Sequence, residues 1–296
     1  MVILTNEFVS KGFSGLYKIG ENSYMNAVLQ SLSHLLPLTI YLLTTESSKF
    51  ENNKNFDITK SYIHLISELW RENVAVKPTS LKNHIANNDE CYKSRSEQNA
   101  YVFLIDFIDI LHESLLRKKI GIQSTEFSSS HFRKAQTEFL DNVNHHQSII
   151  TDLFYGQYLK KYTCRDCQQY TYYTYQPFKE LNLVCGNFEK TSSVEQLIKV
   201  EFEKDHIHSN CAGCSENYER EHEVEIKIFK LPEILIVTFN RFNKFYGRNK
   251  YSVVPNETLD FSDFVFTNTD ESVIYTLSSI VCHSESAGYY SIVHRG

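Results

Sequence analysis

Four of the seven cysteines in this sequence of 296 residues form two Cys-x-x-C pairs. The pairs are Cys164/Cys167 and Cys211/Cys214, and 43 residues separate them. A spacing of two residues between thiols is typical of one half of a tetrahedral structural zinc site, in which each pair binds one side of the ion. We therefore predict that these four thiols bind a structural Zn²⁺ ion.

The other cysteines and two nearby histidines carry a weaker signal. An odd number of cysteines in a long chain without a secretion signal argues against a disulfide framework. We expect Cys185 and Cys282 to be small buried groups and Cys91, in a polar stretch, to be exposed. His206 and His208 are alternative zinc ligands, but four sulfurs already complete a tetrahedron.

The composition limits the class of protein. Hydrophobic residues make up 42% of the chain and charged residues 22%, which is typical of a globular protein, and 40 aromatic residues exclude a disordered chain. The net charge of −6 and the lack of a dense Lys/Arg run argue against direct nucleic-acid binding. No apolar run is long enough for a membrane span. Residues 1–11 lack a signal-peptide pattern, so we predict an intracellular protein, in the cytoplasm and/or the nucleus.

The predicted secondary structure that positions the cysteine pairs changes from helices to strands along the chain. A helix is predicted after Asn22, a good N-cap residue, with Pro37 at its end. Helical spacing of apolar residues predicts two more helices, at 60–71 and at about 97–117. The first half of the protein is therefore predicted to be helical.

The second half has a strand pattern. We predict a flexible connection at 118–147, with one short helix near 132–140. From residue 149 onward, β-branched and aromatic residues predict strands. These predicted strands are 153–162, 170–183, 223–229, 233–242, 273–281 and 288–293. The fold class is therefore α+β, with a helical part followed by a β-rich part.

Three segments in order resemble the ubiquitin-specific protease family, the papain-like deubiquitinases. The family's front motif G-L-x-N-L-G-N-T-C-Y-M-N is similar to GLYKIGENSYMN at 15–26. Its middle motif Q-x-A-x-x-F is similar to QNAYVF at 98–103. Its last motif, Y-x-L and then H and G-H-Y, is similar to 275–277, His283 and 288–290.

The resemblance covers residues 12–296 as one domain and implies a papain-like fold shaped like a right hand. A helical thumb corresponds to about 12–148, and β fingers that hold zinc correspond to about 158–230. The β palm corresponds to about 149–157 and 231–296. In this family, ubiquitin is held between these parts.

The resemblance also implies a role for three catalytic positions, and all three are substituted here. The family's nucleophilic cysteine corresponds to Ser23, its general-base histidine to Tyr289, and its oxyanion asparagine to Lys18. A serine hydroxyl is a poor nucleophile without a base, and a neutral phenol with an ordinary pKa near ~10 is no base at pH 7. The family's orienting Asp or Asn lies farther along, and this sequence ends seven residues after Tyr289. We therefore expect the catalytic triad not to be intact.

Two other histidines near Tyr289 are candidate replacement bases. His283 matches a histidine of the same hairpin that is not catalytic in the family. His294 lies five residues after Tyr289, which places it on the opposite face of a strand. We expect neither histidine to restore catalysis.

The positions that correspond to ubiquitin-tail contacts are Gln98, Asn99 and Tyr290. Asn99 stands where the family has an acidic residue, and Val102 stands where it has a nearby glutamate. Loss of these charges weakens the attraction for the basic tail of ubiquitin. Ubiquitin binding therefore stays open at the level of the sequence.

The sequence favours a pseudo-deubiquitinase, a binding scaffold for ubiquitin, a ubiquitin-like protein or a larger protein complex. The alternative is a divergent or mutated cysteine-type deubiquitinase that hydrolyses isopeptide or C-terminal bonds of ubiquitin. A third hypothesis is a purely structural module without ubiquitin contact. No membrane or nucleic-acid partner is predicted.

Overall fold

The computed structural model describes ten stretches of the chain. They are residues 11–93, 96–117, 130–143, 146–168, 170–185, 191–214, 219–243, 247–248, 251–266 and 273–294. The described residues form two compact units. The first unit draws on 1–118, 147–153 and 278–296, and the second on 119–146 and 154–277.

The helices lie mainly in the first half of the chain. The α-helices in the described residues are α1 Ser23–Ser33, α2 Leu36–Thr44, α3 Phe56–Leu69, α4 Thr79–Asn88, α5 Ala100–Ser114, α6 Ser130–Asn142, α7 Ile149–Phe154 and α8 Val194–Glu201. Two short 3₁₀ helices cover Ser47–Phe50 and Glu90–Lys93.

Helix α1 is the central element of the first unit. Its apolar side chains recur at helical spacing, and Met25 and Leu29 are fully buried. The ring of Tyr24 packs edge-on against Phe103 of α5, with the ring centres 5.6 Å apart. This packing fixes the start of α1, which carries Ser23, next to the loop that leads into α5.

The strands follow mainly in the second half. In the described residues they are β1 Gly156–Cys164, β2 Thr171–Phe178, β3 Leu181–Val184, β4 Thr191–Ser193, β5 Asp205–Asn210, β6 Glu219–Lys230, β7 Val237–Asn240, β8 Phe242–Asn243, β9 Gly247–Arg248, β10 Ser252–Val254, β11 Thr258–Asp260, β12 Ile274–Thr276, β13 Ser279–Ser284 and β14 Gly288–Val293.

The largest sheet belongs to the second unit. It has four strands in the order β2-β1-β6-β5, and β1 pairs antiparallel with both β2 and β6. A separate apolar core of this unit includes the fully buried Leu181, Leu183 and Phe261. The long strands β1 and β6 leave this core, and β1 ends at Cys164.

The hairpin β13–β14 belongs to the first unit. The two strands pair antiparallel from Ser279↔Val293 to Ser284↔Gly288 and form a sheet of two strands. The hairpin packs against α1. Its turn therefore brings Gly288 and Tyr289 to the start of that helix.

Several predicted boundaries are wrong. Pro37 does not end the first helix, because α1 stops at Ser33 and Pro37 lies in the first turn of α2. Proline is tolerated there since its missing N–H has no partner inside a helix. Leu153 lies in α7 rather than in a strand. Helix α4 was not predicted, since only Leu81 and Ile85 are buried along it.

The other predicted elements differ in length. The helix predicted at 60–71 begins earlier, at Phe56, and the helix predicted at about 97–117 is α5. Within the predicted connection, helix α6 is longer than expected, while residues 118–129 and 144–145 lie outside the described residues. The last strand pair is confirmed as β13–β14. The predicted limits of thumb, fingers and palm stay predictions.

No single helix in the described stretches has the length and apolarity needed to cross a membrane. Helices α1 and α2 meet that criterion only when taken together, and the chain bends by 84° between them.

Candidate functional site

Ser23 is the first residue of α1 and lies in a group of polar side chains. Its side chain is nearly buried, with 7% of the residue exposed. Its hydroxyl donates a hydrogen bond to Oε1 of Glu97 at 2.5 Å and accepts one from the backbone N–H of Tyr289 at 3.3 Å. We call Ser23, Glu97, His283 and Tyr289 the Ser23 cluster; all four residues belong to the first unit.

The Glu97 carboxylate lies between Ser23 and His283. Its second oxygen is 3.5 Å from Nε2 of His283, and the His283 ring packs edge-on against Tyr289 with ring centres 4.5 Å apart. The hydrogen bond from Ser23 and then the interaction with His283 hold the pKa of the Glu97 carboxyl below its ordinary value. Glu97 is therefore ionised at neutral pH and accepts the hydrogen bond from Ser23.

The position of Glu97 at the start of α1 is electrostatically favourable. The unpaired N–H groups at a helix N-terminus carry partial positive charge, which favours a nearby anion. Lys18 adds a weaker attraction that also lowers the pKa of Glu97. The carboxylate thus neutralises part of the positive charge at the start of α1.

Gly288 allows the hairpin to approach Ser23 and Glu97. Its φ is +69°, in the left-handed region that favours glycine. A Cβ atom at this position would lie 2.8 Å from Oε1 of Glu97 and 2.9 Å from Oγ of Ser23. The backbone of the hairpin therefore fills the space directly next to the serine hydroxyl.

Lys18, at the predicted oxyanion position, binds elsewhere. Its ammonium group donates to Oε2 of Glu21 at 2.9 Å, and both side chains are about half exposed. The loop itself is held by other groups. The N–H of Ile19 donates to Oδ1 of Asn22 at 2.8 Å, and Lys82 donates to the carbonyl of Ile19 at 2.5 Å. Asn22 is the N-cap residue of α1, as predicted, but its side chain makes no capping hydrogen bond and braces this loop instead.

The predicted tail-contact residues have different surroundings. Asn99 is exposed and caps α5, since its Oδ1 accepts from the N–H of Tyr101 at 2.8 Å. Gln98 donates to Oγ of Ser96 at 3.2 Å. Tyr290 is 43% exposed on the outer face of β14. Asn99 thus has a structural role in addition to any role in binding.

His294 does not join the Ser23 cluster. It is exposed, and its backbone N–H donates to the carbonyl of Ser278 at 2.7 Å. Tyr289 is half-buried next to His283, so the two residues lie on opposite faces of the strand.

The second candidate site is formed by the two Cys-x-x-C pairs. The Sγ atoms of the four cysteines all lie within 4.8 Å of one another. Sγ of Cys164 is 3.9 Å from that of Cys214, and Sγ of Cys167 is 3.7 Å from that of Cys211. A tetrahedral ion with Zn–S bonds of about 2.3 Å requires sulfur–sulfur distances of about 3.8 Å. The two closest sulfur–sulfur contacts match this value and all four atoms lie within 4.8 Å, so the thiols are grouped as a tetrahedral metal site requires.

Backbone turns place the thiols of this site. Gln168 has φ of +54° and donates to the carbonyl of Cys164 at 3.0 Å, which closes the first turn. The N–H of Cys214 donates to the carbonyl of Cys211 at 3.3 Å in the second turn. At Gly213 a Cβ atom would lie 2.7 Å from Cβ of Tyr170, so this turn requires glycine.

The thiols of Cys211 and Cys214 ionise less readily than an ordinary thiol, because the surroundings raise their pKa values. The hydrogen bond with Cys211 and then burial raise the pKa of Cys214 to about 12. A bound divalent cation reverses this effect, because it stabilises the thiolates directly. His206 is no part of the group; its Nδ1 is 3.4 Å from Glu221, and His208 is exposed on the same strand.

Glu97 is the site residue that sequence reasoning missed. It directly precedes the middle motif that begins at Gln98, but 74 residues separate it from Ser23. The sequence offered one signal for it: Glu97 is a charged residue directly before a motif, 98–103, that contains no charged residue. The remaining thiols agree with expectation in part, since Cys185 is buried and Cys91 exposed, while Cys282 is only half-buried.

Comparison with known proteins decides the family. The family model described as "Ubiquitin carboxyl-terminal hydrolase" matches residues 14–295. The chain belongs to this family. Its predicted ubiquitin-specific protease fold, α+β with a helical and a β-rich part, is thereby confirmed.

The relatives in this family are longer than the chain. Ubiquitin carboxyl-terminal hydrolase Usp2 of Drosophila melanogaster is 28% identical over 291 residues, which are 95% of this chain and 31% of the relative. Ubiquitin carboxyl-terminal hydrolase 2 of Homo sapiens is 24% identical, and the match covers 98% of this chain and 50% of that protein. The chain thus spans a third to a half of the length of these relatives.

Solved structures in the family share the fold. The SAGA DUB module Ubp8/Sgf11/Sus1/Sgf73 bound to ubiquitin aldehyde contains a chain that matches with a TM-score of 0.73 and 17% identity. The match covers 96% of this chain and 62% of that one. A second structure of this module, bound to monoubiquitin, matches with a TM-score of 0.72 and 18% identity.

Proposed function

We propose that this chain is a catalytically inactive member of the family that binds ubiquitin, a ubiquitin-like protein or a larger protein assembly. The observation that carries the proposal is the hydrogen bond from the Ser23 hydroxyl to the Glu97 carboxylate. In a working hydrolase of this kind, the nucleophile is hydrogen-bonded to a neutral histidine that takes its proton.

The chemistry of the Ser23 cluster supports inactivity. A serine hydroxyl loses its proton only to a base of suitable strength, and a carboxylate with a lowered pKa is too weak for that task. Tyr289 offers Ser23 its backbone N–H, which is a donor and no base. Lys18 pairs with Glu21. Neither of the other two predicted catalytic positions supplies a base to Ser23.

His283 favours the alternative function, a divergent deubiquitinase. Its ring lies in the Ser23 cluster, and Nε2 is 3.5 Å from Glu97. A rotation of Glu97 out of the cluster is required before this ring meets the serine directly. We give the alternative second place because the carboxylate lies between the two groups.

The family supports both the proposed binding role and the proposed metal. The related Ubp8 chain is described in a module of several subunits bound to ubiquitin aldehyde. By analogy we propose that this chain binds ubiquitin or acts within a protein assembly. We also propose that Cys164, Cys167, Cys211 and Cys214 hold a structural Zn²⁺ ion, in agreement with their spacing. A location in the cytoplasm and/or the nucleus is part of the proposal.

A turnover assay tests inactivity. The purified chain is incubated with a fluorogenic ubiquitin C-terminal amide, and we expect no release of fluorophore above the rate of buffer. Ser23→Ala is the matched control. Hydrolysis by the parent chain that disappears in Ser23→Ala contradicts the proposal and establishes the alternative.

A titration tests binding separately. Labelled ubiquitin is titrated with the chain and followed by NMR, and we expect shifts that saturate. Tyr290→Ala, a change on an exposed residue, is expected to weaken this binding. The absence of shifts at the highest concentration reached excludes ubiquitin as the partner and leaves the structural module.

A further inference from the structure

The Glu97 carboxylate lies against the hydroxyl of Ser23 at the start of α1. Ser23 is only 7% exposed, whereas the Glu97 side chain is 33% exposed, so the carboxylate is the group nearer to solvent. Its Oε1 accepts the hydrogen bond from the hydroxyl at 2.5 Å. A serine hydroxyl has one proton to donate, so the donor that an incoming acceptor needs is already used inside the chain.

The hairpin closes the space on another side of the hydroxyl. The backbone N–H of Tyr289 donates to Oγ of Ser23 at 3.3 Å. A Cβ atom at Gly288 would lie 2.9 Å from the same Oγ and 2.8 Å from Oε1 of Glu97. Because not even a methyl group fits there without displacing one of these atoms, no further carboxylate fits while Glu97 keeps its position.

The position that Glu97 occupies suits a carboxylate. Helix α1 has 11 residues and no acidic residue in its first turn, so the helix itself supplies no carboxylate to offset the partial positive charge of its N-terminus. Nε2 of His283 lies 3.5 Å from the second oxygen of Glu97. A hydroxyl donor, an imidazole and a helix start thus converge on one carboxylate, which the chain supplies from the loop before α5.

We propose that Glu97 is an internal occupant of a carboxylate-binding position and excludes the carboxyl terminus of a bound ubiquitin from it. A second carboxylate beside Glu97 would place two like charges in contact, which is unfavourable. Ubiquitin then binds through its folded part and the earlier part of its tail, while its last residues do not reach Ser23. The identity of this ligand rests on the proposed function, whereas the preference of the position for a carboxylate does not.

Contacts other than those of the Glu97 side chain fix the loop that carries it. The side chain interacts with Ser23 and His283. The course of the loop into α5 is set by Asn99, whose Oδ1 accepts from the N–H of Tyr101 at 2.8 Å. Removal of the carboxylate is therefore expected to open the position while the loop and α5 keep their places. A substitution of Glu97 thus tests the occupancy of the position rather than the fold.

A pair of tail peptides tests the position without intact ubiquitin. Two synthetic peptides with the sequence of the ubiquitin tail, one with a free terminal carboxylate and one with a terminal amide, are titrated into the parent and into Glu97→Ala. The NMR signal of the Tyr289 amide is the readout. We expect the parent not to distinguish the peptides, and Glu97→Ala to bind the carboxylate peptide more tightly by a factor of about ten or more. Glu90→Ala, at a side chain that is 91% exposed, is the matched control and is expected to behave like the parent.

Two results of the peptide titration overturn the proposal. If the parent already prefers the carboxylate peptide and shows it at the Tyr289 amide, Glu97 does not keep the position closed. If Glu97→Ala is folded, as judged by its amide spectrum, and still shows no preference for the carboxylate peptide, the position does not recognise a carboxylate. A preference that appears equally in Glu90→Ala assigns the effect to the net charge of the chain and also contradicts the proposal.

Truncated ubiquitin separates this inference from the proposed function. The unaltered chain is titrated with intact ubiquitin and with ubiquitin that lacks its C-terminal Gly-Gly pair, so the result does not depend on the folding of a variant. We expect equal affinities, within a factor of about two. A loss of affinity by a factor of about ten or more on truncation overturns the inference while the proposed binding of ubiquitin stands. If neither form binds, the proposed function fails, and the peptide titration still decides whether Glu97 occupies a carboxylate-binding position.

Discussion

The Ser23 cluster and the four-cysteine site are both built from residues that are distant in sequence, but they differ in how their geometry is fixed. At the cysteine site, each half is a short turn that places two thiols, so only two turns must meet. In the Ser23 cluster, α1, the loop before α5 and the hairpin β13–β14 each supply single groups. A site built from local turns can be recognised from the spacing of its residues in the sequence. A site built from single groups on separate elements has no such spacing, so the sequence does not reveal which residues belong to it.

We expect the largest effect from the removal of one thiol. Cys164→Ser leaves an incomplete tetrahedron around a position that is fully buried. Structural zinc sites contribute on the order of 10 kcal/mol in small domains, so we expect a loss of several kcal/mol of stability here. Metal analysis is expected to fall from one zinc per chain to none, with a lower midpoint of thermal unfolding.

The control for this prediction is Cys91→Ser, which changes an exposed thiol outside the site. Its zinc content and unfolding midpoint are expected to match the parent. If the parent protein folds fully without any metal, the metal does not stabilise the four-cysteine site and the prediction is wrong.

The next effect concerns the close approach of the hairpin to Ser23. Gly288→Ala introduces a methyl group at 2.8 Å from Glu97 and 2.9 Å from Ser23, at a φ of +69°. We expect a loss of about 1–3 kcal/mol in the free energy of unfolding, measured by urea denaturation. Gly15→Ala is the matched control, because no atom lies within 4 Å of its Cβ position. Equal stability of both variants would mean that the hairpin is not held against Ser23.

A smaller effect concerns the charge of Glu97. Glu97→Gln keeps the shape but weakens the hydrogen bond from Ser23 and the attraction to His283, so we expect a loss of about 1 kcal/mol near neutral pH. Glu90→Gln, at a carboxylate that is 91% exposed, is the control and is expected to change little.

The pH dependence of Glu97→Gln has a defined sign. Because the folded-state pKa of Glu97 is below its ordinary value, the ionised carboxylate stabilises the protein above the unfolded pKa of ~4.3. This contribution is lost as the pH falls through the lower, folded pKa. The stability difference between parent and variant, measured by urea denaturation at several pH values, is therefore expected to shrink in acid. A difference that grows in acid contradicts the assigned charge state.

The smallest effect is expected at Lys18. Its pair with Glu21 is exposed, and exposed ion pairs contribute about 0–1 kcal/mol. Lys18→Ala is therefore expected to change the free energy of unfolding by less than about 0.5 kcal/mol. A large loss of stability in thermal unfolding would assign this lysine a larger part in the Ser23 cluster than its weak attraction to Glu97 indicates.

The sequence predicted the elements of the molecule better than their limits. The helical start, the later strands and the final hairpin were predictable because apolar spacing follows the geometry of each element. The limit at Pro37 was wrong because proline both ends and begins helices, and only the backbone after Ser33 decides between them. Helix α4 escaped prediction because its sequence is mostly polar, and its tertiary contacts define it.

For the two sites, the limits of prediction are different. The four thiols were predictable from spacing alone, since paired Cys-x-x-C spacing is typical of a tetrahedral metal site. Glu97 was not, because nothing in a linear sequence indicates that the loop before α5 meets the start of α1. The assignment of catalytic roles to Ser23, Tyr289 and Lys18 stays a prediction.

The hydrogen bond between the Tyr289 N–H and Ser23 comes from the main chain. Every residue except proline supplies that donor, so the contact survives a change of side chain at 289. The anchoring of the hairpin is thus separated from the chemistry of that position. A histidine at 289 and a tyrosine at 289 can close the same turn, which leaves the position free to lose or regain a base while the fold around it persists.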